Sequence, residues 1–175
     1  VTMAVVDTDG KVLGIFRQLD APVFGLDVAV QKARTSNFFA RTDAGAKLTA
    51  AGFGSYVTRA VADGIPLNGS IALSDRAIGF LHRPLFPDGI NGTQAGPFST
   101  LLADWSPFNV GLQLDVVKNA LTSPPVACRG AEFKKKEFLM APCPCTSITE
   151  VRNGMQIFAG GIPLYRGSTL VGAIG

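Results

Sequence analysis

Histidine occurs once in this 175-residue chain, tryptophan once, tyrosine twice and cysteine three times. With His82 as the single imidazole, any Ser-His-Asp relay would have to use it, and no Gly-x-Ser-x-Gly elbow is present. No phosphate-cradling glycine loop matches either. Charge is also scarce: Asp, Glu, Lys and Arg make up 17% of the chain, against 47% hydrophobic residues. That balance argues against disorder and for a folded body with much internal or interfacial surface. The net charge of +3 is too mild to signal a nucleic-acid partner. The one basic run, Lys134-Lys135-Lys136, is followed by Glu137 and reads as a solvated face or loop. No apolar run reaches the roughly 18 residues of a membrane span. The closing stretch comes nearest, but Pro163, Arg166 and its glycines interrupt it. The opening residues show no charged n-region followed by an apolar h-region, so a signal peptide, if there was one, is expected to be already gone.

The length fits one domain with a real core. Its clearest local signal is "VTMAVVDTDGKVLGIFRQ". A β-branched and apolar run over 1–6 meets the turn residues Asp7-Thr8-Asp9-Gly10, and alternation resumes over 11–17. This predicts a β-hairpin, which accounts for the acidic turn without calcium. After Pro22, the apolar residues Leu26, Ala29, Val30, Ala33 and Phe38 recur at helical spacing, with Lys32, Arg34 and Asn37 elsewhere. The spacing predicts an amphipathic helix of about four turns. A second helix is expected within 47–64, stopped by Asp63-Gly64.

The middle is dense in Gly, Pro and aromatics. Ser74 is placed to N-cap a short helix through Leu81, which Pro84 would end. Residues 111–123 read as another helix, halted by Pro124-Pro125, and 128–145 as loop with one strand at most. A closing hairpin is expected, with a strand at 156–159, a break at Gly160-Gly161, continuation over 162–165, a turn at Arg166-Gly167-Ser168 and a return over 169–174. Glycines inside strands mark a bulge, tight packing against a helix, or a close approach by a backbone or ligand.

Two of these blocks carry a resemblance. "VVDTDGKVLGIFRQLDAP" followed by "AVQKARTSNFFAR" resembles the opening of the GlcG/HbpS-type haem-binding family, and "GGIPLYRGSTLVGAIG" resembles its closing hairpin. The quoted stretches hold 47 residues, in two blocks at opposite ends of the chain. The resemblance implies a profilin-like α+β fold, with a central antiparallel sheet flanked by helices. Residues 42–150 are then a long helical and loop-rich insertion within a single domain of 1–175. It further implies a self-associating domain that binds haem or another small ligand in an accessory or sensor role rather than an enzymatic one. The middle is similar to that of longer variants in larger secreted bacterial proteins. A periplasmic or extracellular location is therefore expected, and the chain is read as a piece of a longer polypeptide.

Within that picture, His82 in the apolar "GFLHRPLF" context is a candidate axial ligand for haem iron. Arg76 and Arg83 are candidate partners for propionates. The competing reading of His82 is a helix C-terminal residue bonding the last carbonyls. Cys128, Cys143 and Cys145 are odd in number, which in a secreted chain suggests one disulfide, Cys128 with Cys143 or Cys145, and a remaining thiol. Cys143-Pro144 is also a dipeptide able to present a thiolate to haem, whereas Cys-Pro-Cys is poor zinc spacing. The aromatics Phe80, Phe86, Phe98, Trp105 and Phe108 read as packing or interface, with a ligand wall as the alternative. The ligand walls themselves are expected from the helix over 28–39 and the two hairpins. The alternative function is a structural or assembly module with no haem.

Overall fold

The computed structural model describes residues 1–85, 92–104, 111–113, 115–116 and 146–175. The first hairpin forms as expected, from β1 (Thr2–Val6) and β2 (Val12–Arg17). Its turn is closed by the Asp7 carboxylate, which accepts from the backbone N–H of Asp9 at 3.0 Å and of Lys11 at 2.8 Å. Such an Asx arrangement is why Asp suits this position. The second hairpin comprises β3 (Ile162–Arg166) and β4 (Thr169–Ile174).

The two hairpins lie side by side. β4 runs antiparallel to β1, with Val5 opposite Ile174 and Val6 opposite Ala173, so the sheet order is β2-β1-β4-β3. Ala4 and Gly175 exchange both backbone hydrogen bonds at 2.9 Å. The chain is thus an α+β fold built on a four-stranded antiparallel sheet with packed helices.

Helix α1 (Gly25–Phe39) covers one face of that sheet. Ala29, Val30 and Ala33 pack on Ala4, Val6 and Ala173, all of them buried. Period 3.6 on the helix and period 2 on the strands meet here, as binary patterning requires. The opposite sheet face stays apolar and partly open. Met3 pairs with Phe16, and Ile162 pairs with Ile174 beside Val5. Met3, Phe16 and Ile162 all rank among the exposed large hydrophobics.

Helix α1 is not amphipathic in the expected sense. Arg34, Thr35, Ser36 and Asn37 are all buried, although Arg34 and Asn37 were expected off the packed face. The reason is a second layer. Residues 146–161 return across the far side of α1 and are bound there by side chains. Asn153 bonds Asp27 and Gln31, Gln156 bonds Gln31 and Thr35, and Lys32 reaches the Ala159 carbonyl at 2.6 Å. Residues 156–159 are consequently not a strand. The Gln156 N–H and the Ala159 carbonyl are bound by α1 side chains rather than by a ladder.

The expected single second helix is two helices, α2 (Ala44–Ala50) and α3 (Gly54–Ala62). Gly52, at φ +94°, ends α2 through paired bonds from Gly52 N–H to Thr49 O and from Phe53 N–H to Leu48 O. This is a Schellman closure, and Gly64 repeats it at the end of α3. Helix α4 (Asp75–Leu81) begins where expected, with the Ser74 hydroxyl accepting from Ala77 N–H at 3.3 Å. Of the helix expected over 111–123, the described residues 112, 113, 115 and 116 are helical.

The main core lies below the C-terminal end of α1. Phe38 and Phe39 meet edge to face at 5.2 Å, and Phe39 packs on Phe98 at 5.6 Å. Leu48, Ile78, Leu112 and Val151 complete the same cluster. Each fully buried side chain of this size contributes about 1.5–3 kcal/mol. Residues of the expected insertion therefore share one core with α1 and with the segment leading to β3.

Candidate ligand cavity and the placement of the site residues

Three side chains on α1 and just beyond it grip the turn of the first hairpin. Arg34 Nε donates to the Gly10 carbonyl at 2.7 Å, Asn37 Nδ2 donates to the Thr8 carbonyl at 2.9 Å, and Arg41 Nη1 donates to the same Thr8 carbonyl. Spacings of three and four residues put all three on one side of the helix. The turn is thereby fixed against the α1–α2 junction.

Arg41 is also clamped by Asp43. Its Nε and Nη2 reach the two carboxylate oxygens at 2.6 and 2.9 Å. That hydrogen bond holds the Asp43 carboxyl below its ordinary range and raises Arg41, despite opposing effects of burial. Lys47 joins the cluster through Glu150 at 2.6 Å. Burial pushes the Glu150 carboxyl up, but the Lys47 hydrogen bond and neighbouring positive charge outweigh it, and Glu150 is lowered.

Beside Arg41 is a cavity of about 460 Å³. Its walls come from the first hairpin's turn, the α1–α2 junction, Gly69, and the second hairpin at Tyr165 and 168–170. A volume of this size lies in the usual range for small-molecule sites. The Tyr165 hydroxyl is buried without a hydrogen-bond partner among the described residues, and burial raises its pKa, so it stands as a neutral phenol. An unpaired buried hydroxyl is costly, by about 1–3 kcal/mol.

His82 lies elsewhere, in the core. It is fully buried, its Nδ1 lies 2.7 Å from the Ile78 carbonyl, and its Nε2 accepts from Gln113 N–H at 3.2 Å. Those partners assign the proton to Nδ1. Burial lowers the pKa to about 4, only partly offset by the Ile78 bond, so the ring is neutral. The Ile78 contact matches the carbonyl-bonding reading of this residue. Arg76 stacks over the Phe80 ring at 5.3 Å and, like Arg83, is exposed. Neither arginine lines the cavity. Cys128, Cys143 and Cys145 lie outside the described residues, as do Phe86, Trp105 and Phe108. Phe98 is a core residue packed on Phe39 and His82. Among the described residues no group of three or more His, Cys, Asp or Glu is placed to hold a metal ion. No helix among them is long and apolar enough to cross a membrane.

One unforeseen group is Asp75, in the first turn of α4. It is fully buried, and among the described residues neither carboxylate oxygen has a hydrogen-bond partner. Burial raises its pKa to about 8, against the opposing influence of the Lys32 charge and the Gly161 backbone. The only sequence signal for this contact is Gly160-Gly161, where the absence of side chains admits a neighbour. Arg41 and Tyr165 had no local signal of their own; of the walls expected from the helix over 28–39 and the two hairpins, the hairpins line the cavity and residues 28–39 do not.

No protein-family model, curated protein or solved structure matches the chain.

Proposed function

We propose that the chain is a small-ligand-binding domain of the GlcG/HbpS type, with an accessory or sensor role in an extracytoplasmic bacterial protein. The observation that carries this reading is the cavity of about 460 Å³ whose walls come from both terminal hairpins and the α1–α2 junction. The two sequence blocks that bear the resemblance supply most of its walls, with Thr42, Asp43 and Gly69 coming from outside them. Their adjacency through β1 and β4 supports the reading.

Haem is the ligand that the resemblance implies. His82, Arg76 and Arg83 do not fit that task in this geometry, and Cys143 lies outside the described residues. His82 has both ring nitrogens engaged inside the core, and Arg76 and Arg83 are exposed away from the cavity. Haem thus enters the proposal through the resemblance alone, and a smaller polar ligand fits the cavity better.

The test is a hemin titration read at the Soret band, run beside a thermal-shift panel of small polar molecules, on the parent and on Tyr165→Phe. Saturable one-to-one binding of either kind supports the proposal, and for the polar molecules it should weaken in Tyr165→Phe. Absence of both overturns it.

The second reading is an assembly module without haem. Its supporting observation is the apolar sheet face carrying the exposed Met3, Phe16 and Ile162, next to the edge of β2, which pairs with no further strand among the described residues. Residues 12–16 hold no charge and no proline to blunt that edge. A second copy adding its own β2 antiparallel would continue both the ladder and the apolar face. Light scattering over a hundredfold concentration range tests this, with Phe16→Glu expected to abolish any dimer.

A further inference from the structure

We propose that Asn68 is a site of self-modification. In the folded chain the Asn68-Gly69 step converts, with water alone, to a mixture of aspartate and isoaspartate, while the fold holds the identical step Asn153-Gly154 inert.

The chain has three Asn-Gly steps, at Asn68-Gly69, Asn91-Gly92 and Asn153-Gly154, and Asn91 lies outside the described residues. At such a step the glycine nitrogen, with no Cβ to shield it, can attack the asparagine Cγ. The N–Cγ bond forms, the Cγ–Nδ2 bond breaks, and the glycine N–H proton leaves with the amide nitrogen as ammonia. Water then opens the cyclic imide. Cleavage at Cγ gives aspartate. Cleavage at the backbone carbonyl gives isoaspartate, whose main chain is longer by a methylene. The sum is an amide and a water going to a carboxylic acid and ammonia.

The reacting groups are free at Asn68. It is exposed, in the irregular segment 65–74 between α3 and α4. Among the described residues neither its Nδ2, the leaving group, nor the Gly69 N–H, the nucleophile, has a hydrogen-bond partner. Its Oδ1 accepts from the Ser70 N–H at 3.1 Å. That donor already faces the oxygen on which negative charge develops during the attack.

Asn153 is held in the opposite state. Its Nδ2 donates to Asp27 Oδ1 at 3.0 Å, and its Oδ1 accepts from Arg34 Nη1 at 2.7 Å. Gly154 is buried, with its N–H bonded to the Val151 carbonyl at 2.8 Å. Attack there must break all of these bonds, so it waits on local opening.

Conversion at Asn68 reaches the cavity, because Gly69 is part of its wall. Gly69 sits at φ +81°, and a Cβ on it would stand 2.9 Å from Thr42 Cγ2 and 3.0 Å from Thr42 N. On the other side of Asn68, the Leu67 carbonyl accepts from the Gly45 N–H at 2.9 Å. A methylene added to the main chain between these two contacts displaces the Thr42 wall.

The experiment ages the folded chain in heavy-oxygen water at pH 6 and pH 8 and maps its tryptic peptides 60–76 and 153–166, which hold only Asn68 and only Asn153 as asparagines. Peptide 60–76 should gain the heavy oxygen, faster at pH 8, with electron-transfer fragmentation separating isoaspartate from aspartate. In the folded chain it should convert about tenfold or more faster than 153–166. In concentrated urea the two rates should meet, because the fold no longer protects Asn153. Equal rates in the folded chain, no conversion at Asn68, or a difference that persists in urea would overturn the proposal. The Thr42 and Gly45 amide shifts should drift as 60–76 converts and stay fixed over the same period in Asn68→Gln. An equal drift in that variant would overturn the link to the cavity wall.

Discussion

The carboxyl of Asp75 lies against the backbone of Gly161, so close that a methyl group on Gly161 would stand 2.2 Å from Oδ2. The same imaginary methyl would stand 2.5 Å from the Lys32 carbonyl oxygen. Helix α4, helix α1 and the entry to β3 therefore meet around one buried, unpaired acid.

That acid should impose a pH dependence on stability. Its folded pKa of about 8 lies above the ordinary 3.8, so the folded chain keeps a proton that the unfolded chain releases. Stability linked to this group is full below about pH 4 and falls as pH rises toward 8, then levels off. Asp75→Asn removes that slope. Urea unfolding at pH 5, 7 and 9 should show the variant more stable than the parent at pH 9, by a few kcal/mol. A variant that retains the parent's slope would refute the assignment.

His82 works in the opposite sense. Its folded pKa of about 4 lies below 6.5, so the unfolded chain takes up the extra proton on acidification. The stability tied to neutral His82 is present above pH 6.5 and drains away as pH falls toward 4. Between these limits the Asp75 and His82 slopes offset one another. A single replacement, His82→Gln, should expose the falling Asp75 slope between pH 4 and 6.5 in a urea series with several points across that window. It should also leave any hemin Soret signal unchanged, provided the variant is folded at the pH of the titration.

Gly161→Ala should be among the most damaging single-methyl additions in the chain. Overpacking of this kind costs about 1–3 kcal/mol, and here backbone is one of the obstacles. Adding Asp75→Ala should restore part of the loss, because one of the two obstructing groups is gone. Thermal unfolding of the two single variants and the double variant measures the coupling. Strict additivity would show that the two residues do not press on each other.

Arg34→Ala should loosen the first hairpin's turn. The side chain is 4% exposed and bonds both the Gly10 carbonyl and Asn153 Oδ1 at 2.7 Å. Burial lowers its pKa to about 10, which still leaves it charged at neutral pH. Two charge-assisted bonds to groups then left unpaired suggest a loss of about 2–4 kcal/mol. Hydrogen exchange should accelerate at the Gly10 and Lys11 amides before it does so in β4.

Much of the fold was legible because its signals are local. The Asp7-to-Gly10 turn, the Ser74 cap and the Gly64 stop each act within a few residues, and each stands where the sequence predicts. Gly52 shows the limit of that legibility. A glycine amid good helix formers is readable either as tolerated or as a stop, and the bonds to Thr49 and Leu48 decide it. The polar half of α1 was not legible at all. Arg34, Asn37 and Gln31 look like solvent-facing residues until the partners at Gly10, Thr8 and Asn153 arrive from elsewhere in the chain. Residues 156–159 read as a strand for the same reason: Thr35 and Lys32 bind the Gln156 N–H and the Ala159 carbonyl, and nothing nearby in sequence announces them. The cavity combines four separate stretches, so no single window of sequence contains it.

The pairing of Val5 with Ile174 has a consequence for synthesis on the ribosome. The first hairpin emerges early and must wait for nearly all the rest of the chain before β4 can dock beside it. Until then β1 has one naked margin, open to the wrong neighbour. Long-range pairing of this kind slows folding, so newly made chains should depend on holdase chaperones, or on rapid burial of the strand beneath α1, to reach the native sheet.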